Sequence, residues 1–416
     1  MTASTTTTAR PERPPERRLL RLLGPAFVAA IAYVDPGNVA ANLTAGSVYG
    51  YLLVWVLVAA NAIAVIVQYL SAKLGVVTGR SLPEVLGDRL PRTGRLLFWA
   101  QAEIVAAATD LAEVIGGAVA LQILFGIPLL PGGVLIGVIS IAILAVQSAR
   151  GQRTFEAIVI ALLAVITVGF VAGVVVSPVD WGDAASGLVP RFQDAQSVLL
   201  AASMLGATVM PHAIYLHSAL ARDRHGVTAD PVRIVRLLKA TRIDVVLALV
   251  VAGTVNIAML LLAASALGGV SGTDTIEGAH AAIGAALGPV VAGAFGIGLL
   301  ASGLASTSVG AYAGATIMAG LLHVQVPMLV RRVVTLIPAL VVLGVGVDPT
   351  LALVLSQVVL SLGIPFALVP LAWLTSRPAL MGRFVNPLPL RIAAIVVTAL
   401  VVALNIALLV LTVTGA

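Results

Sequence analysis

The chain has 416 residues, of which 60% are hydrophobic and only 10% are charged, and its formal net charge is +6. Soluble domains carry about 25% charged residues, so this composition excludes a soluble globular enzyme and indicates a polytopic membrane protein. Cysteine is absent, which excludes disulfides, thiolate metal ligands and catalytic thiols.

A polar tail at 1–18 precedes the apolar part of the chain. It is rich in proline and arginine and has no apolar stretch of the signal-peptide kind, so we predict a disordered cytoplasmic tail. Most of the apolar segments that follow have the roughly 20 residues that a spanning helix needs. The eleven segments are 20–47, 51–76, 94–126, 130–149, 154–177, 195–221, 240–268, 286–322, 328–346, 349–375 and 389–414. We therefore expect an all-α polytopic membrane protein with one transmembrane helix for each segment.

The basic residues predict the orientation of the chain. Of the 24 Lys and Arg residues, only Arg191 falls outside the tail and the connections on the tail's side of the membrane. Cytoplasmic loops carry the excess of Lys and Arg, so we expect the N-terminus in the cytoplasm and the C-terminus outside. This bias explains the positive net charge, and no nucleic-acid partner is predicted.

Pro36 and Gly37 interrupt the first segment within the stretch DPGN at 35–38. Proline removes a backbone donor and clashes with the preceding turn, and glycine tolerates the irregular angles that result. Irregular backbone survives in a membrane only where protein or water surrounds it. A carboxylate such as Asp35 at that depth indicates a functional site. The alternative is a kinked packing helix in which Asp35 pairs with a neighbour.

The sixth segment carries a second break at MPH, residues 210–212. Each break begins a block of five spans, and an odd number of spans reverses the orientation of the next block. The blocks at 19–177 and 195–376 are therefore predicted to be inverted repeats, with the helix at 389–414 outside them. Interrupted segments in corresponding places of two such halves indicate the central site of a transporter.

The two breaks offer oxygen and sulfur donors of different hardness. These are the Asp35 carboxylate, the Asn38 amide, the backbone carbonyls of Ala32 and Ala207, and the Met210 thioether. Oxygen donors alone suit calcium or magnesium, and a thioether adds a preference for softer transition metals. A core packing role is the alternative for Met210. The lack of cysteine and of a two-histidine carboxylate set argues against a tight zinc site.

Three carboxylates lie on one face of the third segment. At 100° per residue, Glu103, Asp110 and Glu113 fall at about 0°, −20° and −80° around a helix. Such a stripe is costly in a membrane and needs water, protons or cationic partners. The arginine pair at 331–332 opens the ninth segment, so one interpretation is a buried ion-pair network that joins the two segments.

His212 and His217 are also candidates for proton chemistry, because the ordinary pKa of histidine suits exchange near neutrality. They lie five residues apart, or about 140° around a helix. They therefore do not form a simple two-histidine metal face.

Six stretches together resemble the Nramp family of proton-coupled divalent metal transporters, over nearly the whole chain past the tail. They are DPGN at 35–38, AEIVAAATDLAEVIGGA at 102–118, MPH at 210–212, ASTSVGAYAG at 305–314, RR at 331–332 and LSQVVLSLGIPFALVPL at 355–371. The resemblance implies a LeuT-like fold of two inverted five-helix repeats plus one extra helix. It also implies that the donors at the breaks are metal ligands, and that Gln357 approaches the ion as the site closes.

The same resemblance implies a proton path that runs inward from the metal site. Its members would be Glu103, Asp110, Glu113, Arg331 and Arg332. His212 resembles the proton-linked histidine of the family, and His217 would line the inner vestibule. The ion-pair network remains the alternative, and the two interpretations overlap.

The chain departs from the family pattern at Ala213, Leu304 and Ala315. None of the three is an expected ligand, so these differences concern fine selectivity. Met210 is retained, whereas some relatives that carry magnesium lack it, and this favours manganese or iron.

These features predict a secondary transporter that imports Mn²⁺, and also Fe²⁺, Cd²⁺ and Co²⁺, with proton coupling by alternating access. We expect it in a bacterial plasma membrane, with a monomer favoured and no resident cofactor. One alternative is a sodium-coupled amino-acid carrier on the same fold, although Asp35 would repel a substrate carboxylate. Another is a metal-gated channel. A membrane metalloprotease is not expected, because the sequence has no H-E-x-x-H motif.

Overall fold

The computed structural model describes residues 23–414 except 271 and 274, so the predicted tail at 1–18 lies outside the described residues. Every regular element of the described chain is a helix, and the predicted all-α class is confirmed. The helices of the first predicted block are α1 (Pro25–Ile31), α2 (Pro36–Tyr49), α3 (Val54–Thr78), α4 (Leu82–Arg89), α5 (Arg92–Phe125), α6 (Leu129–Arg150) and α7 (Gln152–Val176).

A short helix, α8 (Trp181–Ser186), connects the two predicted blocks. The helices of the second block are α9 (Ala195–Thr208), α10 (Pro211–His225), α11 (Pro231–Ala266), α12 (Ile276–Leu287), α13 (Pro289–Leu322), α14 (Met328–Val345) and α15 (Pro349–Thr375). Two helices follow them, α16 (Pro378–Met381) and α17 (Leu388–Thr414).

Nine helical stretches of the described chain are long and apolar enough to cross a membrane, with α9 and α10 taken together as one stretch. Two further predicted segments are helical but are not among these nine stretches. The first is split into α1 and α2 at DPGN, and the ninth is the 18-residue helix α14, which carries Arg331 and Arg332 in its first turns. The chain is therefore an integral membrane protein.

Two helix boundaries differ from the prediction. The seventh segment is predicted from residue 240, but α11 begins at Pro231, where Asp230 accepts a capping hydrogen bond. The eighth is predicted from residue 286, but Gly288, with φ 93°, separates α12 from α13. Hydropathy alone misses both boundaries, because the first turns of α11 are rich in Lys and Arg and because the chain is apolar on both sides of Gly288. A proline at the first position of a helix marks them.

Glycines of the stretch ASTSVGAYAG make room for buried charged groups. A Cβ added to Gly310 of α13 would lie 2.9 Å from Glu113 Oε2, and one added to Gly314 would lie 2.0 Å from Arg331 Nη1. Small residues let helices of a membrane bundle approach closely. Here they also leave space for the ionisable side chains of α5 and α14.

The first interrupted helix lies at the centre of the molecule. Helix α1 packs against α7, α10 and α11, and α2 packs against α9, α11 and α15. Nearly every side chain between Pro25 and Gly46 is buried. The break therefore lies where elements of both predicted blocks surround it.

Candidate metal site at the two helix breaks

Asp35 is the N-cap residue of α2. Helix α1 ends at Ile31, a 3₁₀ turn covers Ala32–Val34, and Pro36 starts α2. Asp35 Oδ1 accepts a hydrogen bond of 2.8 Å from the backbone N–H of Asn38, which is the usual capping contact. The carboxylate is fully buried and faces the positive end of the α2 dipole.

The second break lies between Thr208, the last residue of α9, and Pro211, the first residue of α10. Val209 has φ −107° and ψ 67°, and Met210 is extended with φ −70° and ψ 124°. Met210 occupies the N-cap position of α10 but makes no side-chain capping hydrogen bond. Its buried thioether is therefore not used to cap the helix.

Asn38 joins the two breaks. Its Nδ2 donates hydrogen bonds to the Ala207 carbonyl oxygen at 2.8 Å and to Asp35 Oδ1 at 2.7 Å. One side chain therefore holds a carboxylate of the first predicted block beside a backbone carbonyl of the second.

Gln357 of α15 reaches the same carboxylate. Its Nε2 lies 3.4 Å from Asp35 Oδ2. A Cβ added to Gly37 would lie 1.5 Å from this nitrogen and 2.4 Å from Gln357 Cδ. Gly37 lies within α2 and does not have a positive φ, so the irregular angles expected from the sequence are not what requires glycine here. The close approach of Gln357 to its backbone is the reason that the structure gives.

Two amide oxygens at the breaks have no hydrogen-bond donor. Asn38 Oδ1 and Gln357 Oε1 are buried without a partner within the described part of the chain. Buried polar oxygens are normally paired, so these two, beside the Asp35 carboxylate, are available to a cation. The described residues contain no cluster of three or more His, Asp or Glu side chains that could hold a metal. A metal site here depends on amide, carbonyl and thioether donors.

The predicted carboxylates and arginines form two ion pairs. Arg331 Nη2 lies 2.5 Å from Glu103 Oε1. Arg332 Nη1 lies 3.0 Å from Asp110 Oδ1, without hydrogen-bond geometry. Both arginine side chains are buried. Asp110 and Glu113, one turn apart on α5, are both buried, whereas the Glu103 side chain is 26% exposed. Glu113 has no arginine within ion-pair distance in the described residues.

The two histidines contact different helices. His212 Nδ1 lies 3.4 Å from Thr109 Oγ1 of α5, and His212 Nε2 has no partner in the part of the chain that the structure describes. His217 Nδ1 lies 2.7 Å from Gln68 Oε1 of α3. His212 is thus directed toward the carboxylate-bearing helix, and His217 belongs to a separate set of polar contacts.

That second set of contacts was not predicted from the sequence. Gln68 Nε2 donates to the Tyr33 hydroxyl, and the Tyr33 carbonyl accepts from Asn256 Nδ2 at 2.7 Å. Asn256 Oδ1 in turn accepts from Asn42 Nδ2 at 2.9 Å. The signal that could have found them is a polar side chain within an apolar span, which is costly unless paired.

Polar contacts also hold the ends of α1 and α10 at the arginine-rich side of the molecule. Asp244 of α11 accepts hydrogen bonds from the backbone N–H groups of Gly24 at 3.0 Å and Ala26 at 2.9 Å. Arg222 Nη1, near the end of α10, lies 2.5 Å from Glu84 Oε2 of α4. The half-helices on this side of the breaks are therefore tied to their neighbours.

Glu84 lies in α4, outside the spanning helices. Its protonation state decides whether the contact with Arg222 is ionic. Burial acts to raise the pKa of Glu84. The hydrogen bonds from Ser81 and the charge of Arg222 outweigh burial, and the pKa is held below its ordinary value of 4.5. The contact with Arg222 is therefore ionic near neutral pH.

The described structure brings some predicted site residues into direct contact. Asp35, Asn38, Ala207 and Gln357 form one hydrogen-bonded group. Ala32 and Met210 lie in the breaks themselves. A membrane fold in which two interrupted helices meet at a buried carboxylate defines a transporter of LeuT-like architecture.

Comparison with known proteins identifies the family. The Nramp model, natural resistance-associated macrophage protein-like, matches residues 26–411. The divalent metal cation transporter MntH of Mycobacterium tuberculosis (strain CDC 1551 / Oshkosh) is 60% identical over 394 residues, which cover 95% of this chain and 92% of the relative. MntH of Bacillus subtilis (strain 168) is 46% identical over 397 residues, with 95% and 93% covered. The chain belongs to the Nramp family.

Solved structures agree with the fold. The crystal structure of the Eremococcus coleocola manganese transporter, in complex with an aromatic bis-isothiourea substituted compound, matches with a TM-score of 0.86 at 30% identity, covering 95% of this chain and 88% of that one. MhsT in complex with L-phenylalanine matches with a TM-score of 0.61 at 17% identity, covering 98% of this chain and 100% of that one. The second likeness shows the fold alone, and the predicted LeuT-like fold is confirmed.

Proposed function

We propose that this protein is a secondary transporter that imports Mn²⁺, and also Fe²⁺ and related divalent transition metals, through the two helix breaks. The observation that carries the proposal is the Asn38 side chain, which joins the Asp35 carboxylate to the Ala207 carbonyl. The relatives named as divalent metal cation transporters and the manganese transporter structure support the same substrate class. The sodium-coupled amino-acid carrier is not favoured.

The donor set suits a carrier that must release its ion. Asp35 supplies one negative charge, and the amide oxygens of Asn38 and Gln357 are neutral and without donors. A Met210 sulfur would add a soft ligand, which magnesium does not prefer. A mixed shell with a single carboxylate favours transition metals without the tight binding of a closed structural site.

The burial of the site favours alternating access as the mechanism. Asp35, Asn38 and Met210 are fully buried, so part of the structure must move before an ion reaches the site, and we assign that movement to one half of each interrupted helix. The contacts of Asp244 with the start of α1, and of Glu84 with the end of α10, lie on the side that we assign to the cytoplasm. Release of the ion inward would require these contacts to open.

Protons are the proposed coupling ion. Asp35 must be ionised to bind a metal, so metal binding displaces or moves a proton. Asp110 and Glu113 lie on the same helix as Thr109, the neighbour of His212, and could receive that proton. An inside-negative potential favours cation entry by roughly 2.3 kcal/mol per charge per 100 mV.

Uptake of Mn²⁺ into proteoliposomes tests the proposed function. We expect Asp35→Ala to abolish uptake, whereas Asp183→Asn, at an exposed acid of α8, should leave it unchanged. Uptake by Asp35→Ala equal to that of the unmodified protein would reject the site. Proton flux driven by Mn²⁺ should fall in Asp110→Asn and Glu113→Gln, and unchanged flux in both would reject the α5 path while leaving the metal site intact.

The proposed orientation can be tested with single cysteines, because the chain contains none of its own. Ser186→Cys in α8 should react with an impermeant maleimide added outside cells, and Thr93→Cys at the start of α5 should not. Both positions are exposed. The reverse pattern would overturn the proposed placement of the N-terminus in the cytoplasm.

A further inference from the structure

A groove lies between the end of α15 and the start of α17, away from both helix breaks. Its volume is about 870 Å³, and its walls include Val369 and Trp373 of α15 and Ile395 and Val402 of α17. In the described structure Val369 is 45% exposed, Trp373 47% and Ile395 56%. In a membrane protein such exposed apolar walls face lipid.

The length of the groove matches one leaflet of a bilayer. Its α17 wall runs from Arg391 to Val402, which is about 16 Å at roughly 1.5 Å per residue. The hydrocarbon core of a bilayer is about 30 Å thick. The groove therefore has the depth of a single acyl chain that extends from the interface toward the midplane.

The mouth of the groove is positively charged. Arg377 and Arg391 both line it, and the Arg377 guanidinium lies 3.9 Å from the centroid of the Trp373 ring. Neither arginine has a carboxylate within ion-pair distance in the described residues. The sequence from 349 to 416 contains no Asp or Glu at all, so these charges are not compensated locally.

Arginine and tryptophan together are typical of a lipid-headgroup region. The guanidinium fork pairs well with phosphate oxygens, and tryptophan prefers the membrane–water interface. We infer that this groove binds an anionic glycerophospholipid, with its phosphate at Arg377 and Arg391 and one acyl chain against Trp373, Ile395 and Val402. Two uncompensated positive charges favour an anionic headgroup over a zwitterionic one.

Quenching of Trp373 by brominated lipids tests this site. The protein would be placed in vesicles that contain the same fraction of brominated phosphatidylglycerol or brominated phosphatidylcholine. The chain has four tryptophans, so the contribution of Trp373 is the difference between the unmodified protein and Trp373→Phe. We expect phosphatidylglycerol to quench Trp373 more strongly, with a preference that falls about fivefold for each arginine removed.

Matched variants separate the groove from general surface charge. Arg377→Ala/Arg391→Ala should lose the preference for phosphatidylglycerol, and Arg377→Lys/Arg391→Lys should retain part of it. Arg92→Ala/Arg236→Ala removes two exposed arginines elsewhere and should leave the preference unchanged.

Two outcomes would overturn the inference. Equal quenching by the two brominated lipids in the unmodified protein would mean that the groove holds only ordinary boundary lipid. Loss of the preference on addition of inorganic phosphate would mean a free-phosphate site. Neither result depends on metal transport, so the lipid site and the proposed function can fail separately.

Discussion

Asn38 Nδ2 lies 2.8 Å from the Ala207 carbonyl oxygen and 2.7 Å from Asp35 Oδ1, and so connects the two interrupted helices. Its own Oδ1 has no hydrogen-bond partner in the described residues. Asn38 therefore has two functions in the proposed site, because it positions the carboxylate and also presents an oxygen to the ion.

Replacement of Asn38 by alanine should weaken metal binding. The change removes a hydrogen bond to an ionised carboxylate, worth about 1.5–3 kcal/mol, together with one proposed ligand. We expect Mn²⁺ affinity, measured by isothermal titration, to fall by at least about tenfold. Ser47→Ala, on the same helix but away from the break, is the control. Equal affinity in Asn38→Ala and the control would contradict a role for Asn38 in the site.

Gly37→Ala should displace Gln357 from Asp35. The new Cβ would lie 1.5 Å from Gln357 Nε2, and overpacking of this kind costs about 1–3 kcal/mol. We expect a lower melting temperature for Gly37→Ala and recovery of most of the loss in Gly37→Ala/Gln357→Ala. Gly293→Ala is the control, because a Cβ there meets no atom within 4 Å. If removal of the Gln357 side chain restored nothing, contact with Gln357 would not be the cause of the loss.

Met210→Leu should change selectivity more than folding. Leucine nearly conserves the volume of methionine but removes the sulfur that soft ions prefer. We expect the preference for Cd²⁺ over Mn²⁺ in competitive uptake to fall by about tenfold, equivalent to ~1.4 kcal/mol. Met204→Leu is the control, since Met204 is equally buried but lies within α9. An unchanged preference in Met210→Leu would assign Met210 to packing.

The contact between Glu84 and Arg222 should stabilise the protein only when Glu84 is ionised. The pKa of Glu84 is lower in the folded protein than its ordinary value of 4.5, so the stabilisation is complete above that pH and is lost as acid protonates the folded carboxyl. The Glu84 side chain is 36% exposed, and after solvent screening we expect only about 0.5 kcal/mol.

Melting curves of Glu84→Gln and the unmodified protein over a range of pH measure this effect. The two proteins should differ near neutral pH and converge in acid, and Arg222→Gln combined with Glu84→Gln should add little. A difference that persisted or grew in acid would contradict an ionic contact.

The sequence predicted the position of both breaks because Pro36 and Pro211 stand beside polar or soft donors at corresponding places of the two predicted blocks. Proline alone would not have been sufficient, since α15 carries Pro365 and Pro370 inside a continuous helix.

The residues that contact the two breaks were harder to predict from the sequence. Gln357 was placed near Asp35 only by family resemblance, whereas the close approach of α15 to Gly37 depends on packing between distant segments. No local sequence pattern links Met210 to a second ligand, because no other donor lies at a characteristic spacing from it.

The polar contacts of Gln68, Tyr33 and Asn256 could not be assigned for the same reason. Each side chain is an isolated polar residue in an apolar span, and its partner lies on another helix. In contrast, the pairing of Glu103 and Asp110 with Arg331 and Arg332 could be anticipated, because buried charges require partners of opposite sign. Which arginine meets which carboxylate was settled by the helix packing.

Anomalous scattering from crystals soaked in Mn²⁺ tests the central claim most directly, because it locates the ion without assuming a ligand. We predict a single strong peak at the two breaks, within coordination distance of Asp35 oxygen and Met210 sulfur. A peak among Glu103, Asp110 and Glu113, with none at the breaks, would contradict the proposed metal site.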